Sequence, residues 1–531
     1  MPANSVTGVI YDANGPVAKA TVRIQGTTNA TVSDYQGQFT LSSLSEGVAV
    51  TISAWKEGYY CAKAEGVKPP VNGITLTLRM VQTNDYPGYE WIPPIGGNSC
   101  YSCKPGVTQV WLDNDAHSRS TINPRFLTMY YGTDVEGNQS PLTRYSQTRD
   151  YGRIPLPPDP SQPYFGPGYK LDFPATAGNC SACHVPGAAI NAPYGTDPTQ
   201  VSGANSFGVH CDFCHKIADV NLDQATQLPF PNMPGVLSMD IRRPFPQDKD
   251  RYQIFFGTFD DDNVPLEDTY LPLLKESRFC APCHFGVFWD TPVYNSFGEW
   301  LASPYSNPAS GKTCQQCHMP APTVLDGNLM TNVAPGKGGI DRDPLTIHAH
   351  TFPGTTNLEL MQNAVSLTTT LRLNENKLAV NVKITNDRTG HAVPTDSPLR
   401  HLILLVQAEG DNGQPLEQLS GPTVPEWGGV GDSTRGYYAG LPGKAFAKVL
   451  EELWTGVSPT GAYWNPTRLV SDNRLAPLAS DTSSYTFATP QSGRIKVQVR
   501  LIFRRAYKML MDWKGWEASD IEMEVWEGEI E

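Results

Sequence analysis

The sequence predicts a multidomain protein with a β-sandwich domain at each end and a loop-rich, partly helical segment between them. Short strands and turns alternate over residues 1–80, and the same alternation returns after residue 360. Between these regions, residues 81–360 contain five C-x-x-C pairs within stretches rich in Pro, Gly, Asn and Asp. We therefore expect three domains, covering residues 1–80, 81–360 and 361–531.

The composition agrees with this fold class and excludes several partners. With 47 glycines and 46 prolines in 531 residues, long helical bundles are not expected. The net charge of −13 argues against nucleic acid or an anionic membrane surface as a partner. No run of 18 apolar residues occurs, so no transmembrane segment is predicted.

The N-terminal strands are predicted at residues 6–11, 20–24, 39–41, 48–54 and 74–78. Their alternation and turn spacing are typical of a small β-sandwich. Two segments resemble parts of the carboxypeptidase regulatory-like domain: Asp34-Tyr35-Gln36-Gly37-Gln38-Phe39 and Lys56-Glu57-Gly58-Tyr59. This resemblance implies an adhesive or spacing module on an exported protein.

The cysteines carry the main chemical signal. Ten of the eleven fall in C-x-x-C pairs, and four pairs are followed directly by a histidine, which is the attachment signature of haem c. Two thiols add to the vinyl groups of one porphyrin, and the histidine becomes an axial ligand of its iron. Zinc sites would pair these units with one another and would need no histidine after each. The pairs and their histidines are Cys180/Cys183/His184, Cys211/Cys214/His215, Cys280/Cys283/His284 and Cys314/Cys317/His318.

The fifth pair, Cys100/Cys103, is followed by Lys104 instead of histidine. Two interpretations compete: Lys104 binds the iron of a fifth haem through its deprotonated amine, or the two cysteines form a structural disulfide. Trp111, His117 and the run 123–126 resemble the residues found after a haem motif in many multihaem cytochromes. We therefore predict five covalent haems c, and we expect the leftover Cys61 to be an inert thiol.

The remaining histidines are candidates for the second axial ligand of each iron. The chain has ten histidines, four of which are in the motifs, so the supply nearly matches five six-coordinate haems. His401 opens an apolar strand and is expected to be a core or edge residue. Between His348 and His350, His350 is the favoured ligand. The predicted ligands are His117, His210, His348, His350 and His391.

A loop-heavy segment of this length does not normally hold a core, so we expect the porphyrins to form the core of residues 81–360. Helical patches are predicted at residues 272–278 and 297–302. After residue 361, strands are predicted at 365–373, 378–384, 402–406, 484–487 and 495–503. If His391 binds a haem, it locks this second sandwich onto the haem layer.

One long stretch carries a family resemblance. Residues 293–305, running into Cys314-Gln315-Gln316-Cys317-His318-Met319-Pro320, resemble the multihaem cytochrome superfamily, which includes cytochrome c-554-like proteins and pentahaem nitrite reductase. The resemblance covers about residues 98–400 and implies closely stacked haems that conduct electrons.

Pentahaem nitrite reductase also has one C-x-x-C-K motif, whose haem is the catalytic one. That enzyme carries Glu-Tyr after its third motif, whereas this chain has Lys216-Ile217. Four residues near the Lys104 motif could line a pocket, although arginines and tyrosines near a haem more often hold its propionates. These residues are Arg119, Arg125, Tyr130 and Tyr131.

The predicted function is electron transfer by an exported pentahaem cytochrome, in the periplasm or at the cell exterior, including a place in an extracellular respiratory chain or a cytochrome filament. The expected partners are redox proteins or further copies that meet through haem edges. Two alternatives remain: reduction or oxidation of a small nitrogen or sulfur compound at the Lys104 haem, or binding through the β-domains. Residues 1–5 lack the features of a signal peptide, so we interpret Met1 as a trimmed start.

Overall fold

The computed structural model describes residues 4–146, 153–246, 253–261, 263–264, 268–490 and 493–531. Met1, which we interpreted as a trimmed start, lies outside these residues. The chain is 19% helical and 30% strand, with the strands divided among many small sheets. Within the described ranges, no helix is long and apolar enough to cross a membrane.

The N-terminal region consists of two four-stranded sheets. In the first, β1 lies between β2 and β5 in the order β2-β1-β5 and pairs in parallel with β8; the second has the order β4-β3-β6-β7. Alternate residues of β1, such as Val6 and Ile10, are buried in one cluster with Val22 and Ile52 of the second sheet. The strands are β1 (Val6–Asp12), β2 (Gly15–Pro16), β3 (Thr21–Ile24), β4 (Ala30–Val32), β5 (Gln38–Leu41), β6 (Val50–Trp55), β7 (Ala62–Val67) and β8 (Val71–Thr77).

The turn before β5 depends on Gly37. Its φ of +73° lies in the left-handed region, and a Cβ there would lie 2.4 Å from the backbone oxygen of Ile10. Only glycine meets both conditions without strain.

Direct contacts join the N-terminal region to the central segment. Arg23 forms an ion pair with Asp260, and the Tyr60 hydroxyl donates to the backbone oxygen of Gln253 at 3.0 Å. Cys61, next to Tyr60, is buried. The first sandwich therefore packs against the segment that contains the cysteine pairs.

The prediction of a partly helical core in residues 81–360 is wrong. Among the described residues of this segment, the longest helix has ten residues and most of the others are single turns, because each C-x-x-C motif spans only one turn and proline or glycine soon follows. The helices are α1 (Cys100–Cys103), α2 (Pro105–Asn114), α3 (Pro124–Tyr131), α4 (Tyr169–Asp172), α5 (Ser181–His184), α6 (Pro186–Ala189), α7 (Cys211–Cys214), α8 (Ala281–His284), α9 (Ser296–Leu301) and α10 (Cys314–His318).

Two-stranded sheets and 3₁₀ helices complete this segment. The expected patch at 272–278 is a pair of 3₁₀ helices, whereas the one at 297–302 corresponds to α9. The strands are β9 (Tyr145–Ser146), β10 (Ile154–Pro155), β11 (Ile217–Val220), β12 (Met239–Ile241), β13 (Phe255–Gly257), β14 (Asp268–Tyr270), β15 (Gly286–Phe288), β16 (Thr291–Tyr294), β17 (Val324–Leu325) and β18 (Asn328–Leu329). The 3₁₀ helices are Ala116–Arg119, Gly203–Phe207, Gly235–Ser238, Pro272–Lys275, Ser277–Cys280, Pro304–Ser306 and Pro344–Thr346.

The C-terminal region pairs a four-stranded sheet, β19-β20-β25-β22, with a five-stranded sheet, β24-β23-β21-β26-β27. One cluster draws buried side chains from both sheets, including Val380, Leu404 and Val499. The elements are α11 (Leu358–Gln362), β19 (Ser366–Asn374), β20 (Lys377–Thr385), β21 (His401–Gly410), β22 (Gln418–Ser420), β23 (Gly443–Glu452), β24 (Thr467–Asp472), β25 (Ser480–Ala488), β26 (Ile495–Arg504), α12 (Lys508–Lys514) and β27 (Ile521–Ile530), with 3₁₀ helices Glu426–Gly428 and Ser433–Arg435.

This region is fastened to the central segment by polar contacts. The buried ammonium of Lys514 donates to the backbone oxygens of Thr128, Thr133 and Pro167 at 2.7–3.1 Å. Trp464 Nε1 donates to Asp172 Oδ2 at 2.7 Å. These bonds join the C-terminal region to the part of the central segment around α3 and α4.

Candidate haem-binding site

A cavity of about 1210 Å³ runs through the central segment. Its walls include Lys104 and most of the histidines singled out from the sequence, together with residues of the β20–β21 connection such as His391 and Asp396. Nine of the ten motif cysteines line it: Cys100, Cys103, Cys183, Cys211, Cys214, Cys280, Cys283, Cys314 and Cys317.

Each motif is a short helical turn, and this local geometry brings its two thiols together. Residues three apart in a helix lie on the same side, as a porphyrin with two neighbouring vinyl groups requires. Caps define some of these turns: the Thr313 side chain accepts from the Gln316 N–H before α10, and a capping box holds Ser99 and Ser102. All ten motif cysteines are free thiols in the structure.

Thiols of different motifs also meet. Side-chain hydrogen bonds join Cys100 to Cys211, Cys183 to Cys283 and Cys280 to Cys314. The first motif therefore adjoins the third, the second adjoins the fourth, and the fourth adjoins the fifth.

Three pairs of predicted ligands face each other across the cavity. The ring centroids are 6.3 Å apart in each pair: His117 with His284, His215 with His350, and His318 with His391. With metal–nitrogen bonds of about 2.0–2.1 Å and ring centres about 1.1 Å further out, two imidazoles on opposite sides of one iron are about 6.2–6.4 Å apart. The spacing therefore fits an iron between the rings of each pair.

In all six histidines, Nδ1 has a hydrogen-bond acceptor. This leaves Nε2 as the nitrogen whose lone pair can bind a metal. Such outer partners orient metal-binding imidazoles and raise their basicity. The Nδ1 partners are Asp115 Oδ1 for His117 (2.9 Å), Asp396 Oδ2 for His284 (3.1 Å), Phe256 O for His215 (2.5 Å), His348 O for His350 (3.2 Å), Pro353 O for His318 (2.8 Å) and Ala392 O for His391 (3.0 Å).

Burial favours the neutral form, which binds a metal, in three of the six, His215, His318 and His350, and also in His184. It is the main cause that lowers the pKa of His184 to about 4 and that of His215 to about 3. His284 differs: burial lowers its pKa, but the Asp396 carboxylate outweighs burial and raises it to about 9. An iron on Nε2 competes with that proton, so the same carboxylate would then stabilise the metal-bound ring.

Lys104 and His348 both line the cavity. Lys104 Nζ lies 4.1 Å from the centroid of the Phe255 ring, which stacks on His215 at 3.9 Å. Val107, one turn after Lys104, packs in the same apolar cluster as Ile347, the neighbour of His348. His348 donates from Nδ1 to Met319 O at 2.9 Å, so its Nε2 also carries a lone pair.

His210 has a different setting. It is fully buried, its Nδ1 accepts from the N–H of Phe213 at 3.2 Å, and Nε2 lies 3.4 Å from Asn205 Oδ1. Both ring nitrogens therefore have polar neighbours within the protein, and the ligand role of His210 stays a prediction. His401, expected in the core, is buried against Tyr507 and Trp427 in the C-terminal region.

His184, in the second motif, faces no histidine within the part of the chain that the structure describes. The His184 ring instead stacks on Phe126 at 3.8 Å, with only 5° between the ring planes. Its Nδ1 is buried and has no hydrogen-bond partner among the residues that the structure describes.

The arrangement fits haem better than a bare metal ion. No group of three or more His, Cys, Asp or Glu side chains able to hold an ion occurs within the described part of the chain. A haem iron already has four porphyrin nitrogens and needs only two axial groups, and the three histidine pairs supply these.

Sequence reasoning named candidate ligands, but it did not reveal which of them face each other or which residues support them. Asp115, two residues before His117, is a short-range signal that could have been noticed. Asp396, Phe126 and Phe255 carry no such signal, because each acts on a histidine far away in the chain.

Comparison with known proteins supports the fold. No family model and no curated protein matches the chain. Among solved structures, the penta-heme cytochrome c552 from Thermochromatium tepidum matches 83% of this chain and 100% of its own, with a TM-score of 0.53 and 20% identity. This chain has a multihaem cytochrome-like fold.

Two further matches are far weaker. A type II cohesin–X-dockerin complex from Acetivibrio cellulolyticus covers 14% of this chain and 51% of its own, at 24% identity. The C-terminal domain of the PapC usher covers 14% of this chain and 98% of its own, at 15% identity. Each has a TM-score of 0.12 and says nothing about the central segment.

Proposed function

We propose that this protein is an exported pentahaem c-type cytochrome that transfers electrons along stacked haems. The observation that carries the proposal is the set of three histidine pairs 6.3 Å apart, each ring with an acceptor on Nδ1. Two imidazoles on one iron give a low-spin centre that changes little on reduction, as electron transfer requires.

The contacts between motifs support a continuous route. The first motif meets the third through Cys100 and Cys211, and the third lies beside the fourth, where the thiols of Cys214 and Cys283 influence each other. The fourth motif meets both the second and the fifth. Porphyrins attached to adjoining thiols would be close enough for electrons to hop between them.

The chain's own residues set the conditions for this transfer. Haem iron supplies one-electron chemistry when it is bound. The backbone oxygens of Phe256 and Pro353 and the carboxylates of Asp115 and Asp396 hold the rings in fixed orientations. Ligands in fixed orientations move little when the iron changes its oxidation state, so the reorganisation energy of electron transfer stays small.

At the first motif, we propose that His348 fills the face opposite Lys104. Both residues line the cavity, and the apolar cluster of Val107 and Ile347 holds their segments together. This favours a relay over the alternative, a reductase of a nitrogen or sulfur compound at this haem. Cyanide binding to the oxidised protein that is abolished in Lys104→Ala would support the reductase instead.

Haem content gives the primary test. Intact mass after denaturation should exceed the polypeptide mass by five haems, and dithionite should reduce all five. A mass with four haems would favour a Cys100–Cys103 disulfide, and a mass with none would overturn the proposal.

We also propose a periplasmic or extracellular location, because covalent haem attachment takes place outside the cytoplasm. Redox proteins, or further copies that meet through haem edges, are the proposed partners. Antibody accessibility on intact cells compared with spheroplasts would distinguish the two locations.

A further inference from the structure

The three histidine pairs differ in the group that accepts the hydrogen bond from Nδ1. In two pairs every acceptor is a neutral backbone oxygen. These pairs are His215 with His350 and His318 with His391. The third pair, His117 and His284 of the fourth motif, has a carboxylate on each side, from Asp115 and Asp396. One of the three iron positions therefore has two negative charges bonded to its candidate ligands.

Asp115 reaches His117 over a short stretch of chain. It is the N-cap of the 3₁₀ helix Ala116–Arg119, and its Oδ1 accepts from both the backbone N–H and Nδ1 of His117, at 2.9 Å each. Its side chain is 1% exposed, and Oδ2 is buried with no hydrogen-bond partner among the described residues. Little water and no further donor therefore weaken the charge that this carboxylate places beside the ring.

Asp396 reaches His284 from the connection between β20 and β21. Its Oδ2 lies 3.1 Å from His284 Nδ1, and its Oδ1 accepts from the hydroxyl of Ser296, the first residue of α9, at 2.7 Å. Arg400 donates to the backbone oxygen of Thr395 at 3.2 Å, and no ion pair joins it to Asp396 within the described residues. Two hydrogen bonds therefore fix this carboxylate on the ring.

The acceptor on Nδ1 affects how strongly the same ring binds a metal. A hydrogen bond to a carboxylate is stronger than one to a backbone oxygen, because the acceptor carries a full charge. It increases the electron density at Nε2 and makes the ring a better metal ligand. A better ligand and a nearby negative charge both stabilise ferric over ferrous iron, since the ferric ion has the larger positive charge. All six rings are half-buried, so their exposure does not separate the pairs.

We propose that Asp115 and Asp396 are positioning residues that give the haem of the fourth motif the lowest midpoint potential of the three haems held by histidine pairs. This inference rests on the proposed function and deepens it, because it assigns an order of potentials to the route. The other two pairs belong to the third and fifth motifs, and the fourth motif adjoins both. An electron passing between those haems crosses an uphill step at the fourth and rests on either side of it.

The order of potentials is measured by stepwise reduction of the oxidised full-length holoprotein with dithionite and mediators. Electron paramagnetic resonance records each low-spin haem during the titration. His117→Ala, His350→Ala and His391→Ala identify the signals, because each variant should lose the low-spin signal of the haem whose ligand is removed. In the wild-type protein, the signal that is lost in His117→Ala should be the last of the three to be reduced.

Two variants test the carboxylates themselves. Asp115→Asn and Asp396→Asn supply a neutral amide oxygen, as in the other two pairs, and asparagine can still cap the 3₁₀ helix after residue 115. Each should make reduction of the fourth-motif haem about tenfold more favourable, which is about 59 mV for one electron. Asp113→Asn is the matched control, because it removes an exposed charge that is bonded to Gln109 and to no histidine. It should leave the potential unchanged.

Haem mass and the visible spectrum of every variant show whether it is folded and loaded, and the wild-type order of reduction tests the inference even if a variant loses haem. The inference is wrong if the fourth-motif haem of a five-haem protein is reduced before either of the other two. It is also wrong if Asp115→Asn and Asp396→Asn shift that potential no more than Asp113→Asn does. Both results leave the electron-transfer proposal standing. A wild-type mass without haem would overturn that proposal and this inference together.

Discussion

The C-terminal sandwich and the central segment are held together in different ways. The main cluster of the sandwich contains 21 buried residues from two facing sheets, such as Val382 and Leu501. The cluster of eight around Phe213 and Ile217 in the central segment, by contrast, borders a cavity of about 1210 Å³. A cavity of this size interrupts the close packing of a protein interior, so under the proposed function we expect the central segment to depend on bound porphyrin and the sandwich not to.

The largest effect is expected from removing the haem of the fourth motif, Cys280/Cys283, because this motif adjoins three others. In Cys280→Ser/Cys283→Ser, residues 81–360 should lose protection from hydrogen exchange while β20, β21, β25 and β26 keep theirs, because only the central segment loses core volume. Cys61→Ser, a cysteine outside the pairs, is the control and should retain five haems. Equal protection in both regions of the double variant would break the comparison.

Within the sandwich, Leu404→Ala should lower the free energy of unfolding by about 2–5 kcal/mol, because it leaves a cavity in a packed core. Leu404 is fully buried, whereas Leu453 is half-exposed, so Leu453→Ala should cost much less. Denaturant unfolding followed by tryptophan fluorescence measures both. The visible haem spectrum of Leu404→Ala should be unchanged, and a changed spectrum would mean that the two regions share one core.

His391 is the point where the two regions depend on each other. Replacing it by alanine should convert one of the low-spin haems to high spin and expose the chain near residue 361 to proteolysis, since His391 faces His318 at 6.3 Å. Arg388→Ala, in the same connection but largely exposed, should do neither. An unchanged spectrum in His391→Ala would mean that this histidine is an ordinary loop residue.

The smallest effect concerns pH and the buried His401. Burial lowers its pKa from 6.5 to about 3, so below pH 6.5 the unfolded state takes up a proton that the folded state does not. The sandwich should therefore lose up to about 1.4 kcal/mol of stability per pH unit as the pH falls from 6.5 towards 3. The slope should be shallower in His401→Gln when unfolding is measured between pH 6.5 and 4.5, and identical slopes would contradict the assigned pKa.

Local signals made parts of this structure predictable. Strand alternation at residues 6–11 and 378–384 corresponds to β1 and β20, because burial on one face of a strand leaves a period of two in the sequence. The helical content of the central segment was overestimated, since a C-x-x-C-H motif specifies one turn and nothing beyond it. The domain boundaries and the ligand roles of the histidines remain predictions.

By itself, the sequence predicted the chemistry: which thiols are candidates for haem attachment, that Lys104 replaces a histidine, and which histidines are available as ligands. Those properties reside in residues a few positions apart, and covalent attachment allows little variation in their spacing. Only the tertiary structure decided that His117 faces His284 and that His350 faces His215. The members of these pairs are 167 and 135 positions apart, and contacts at that range depend on how the domains pack around the cavity, which no local pattern records.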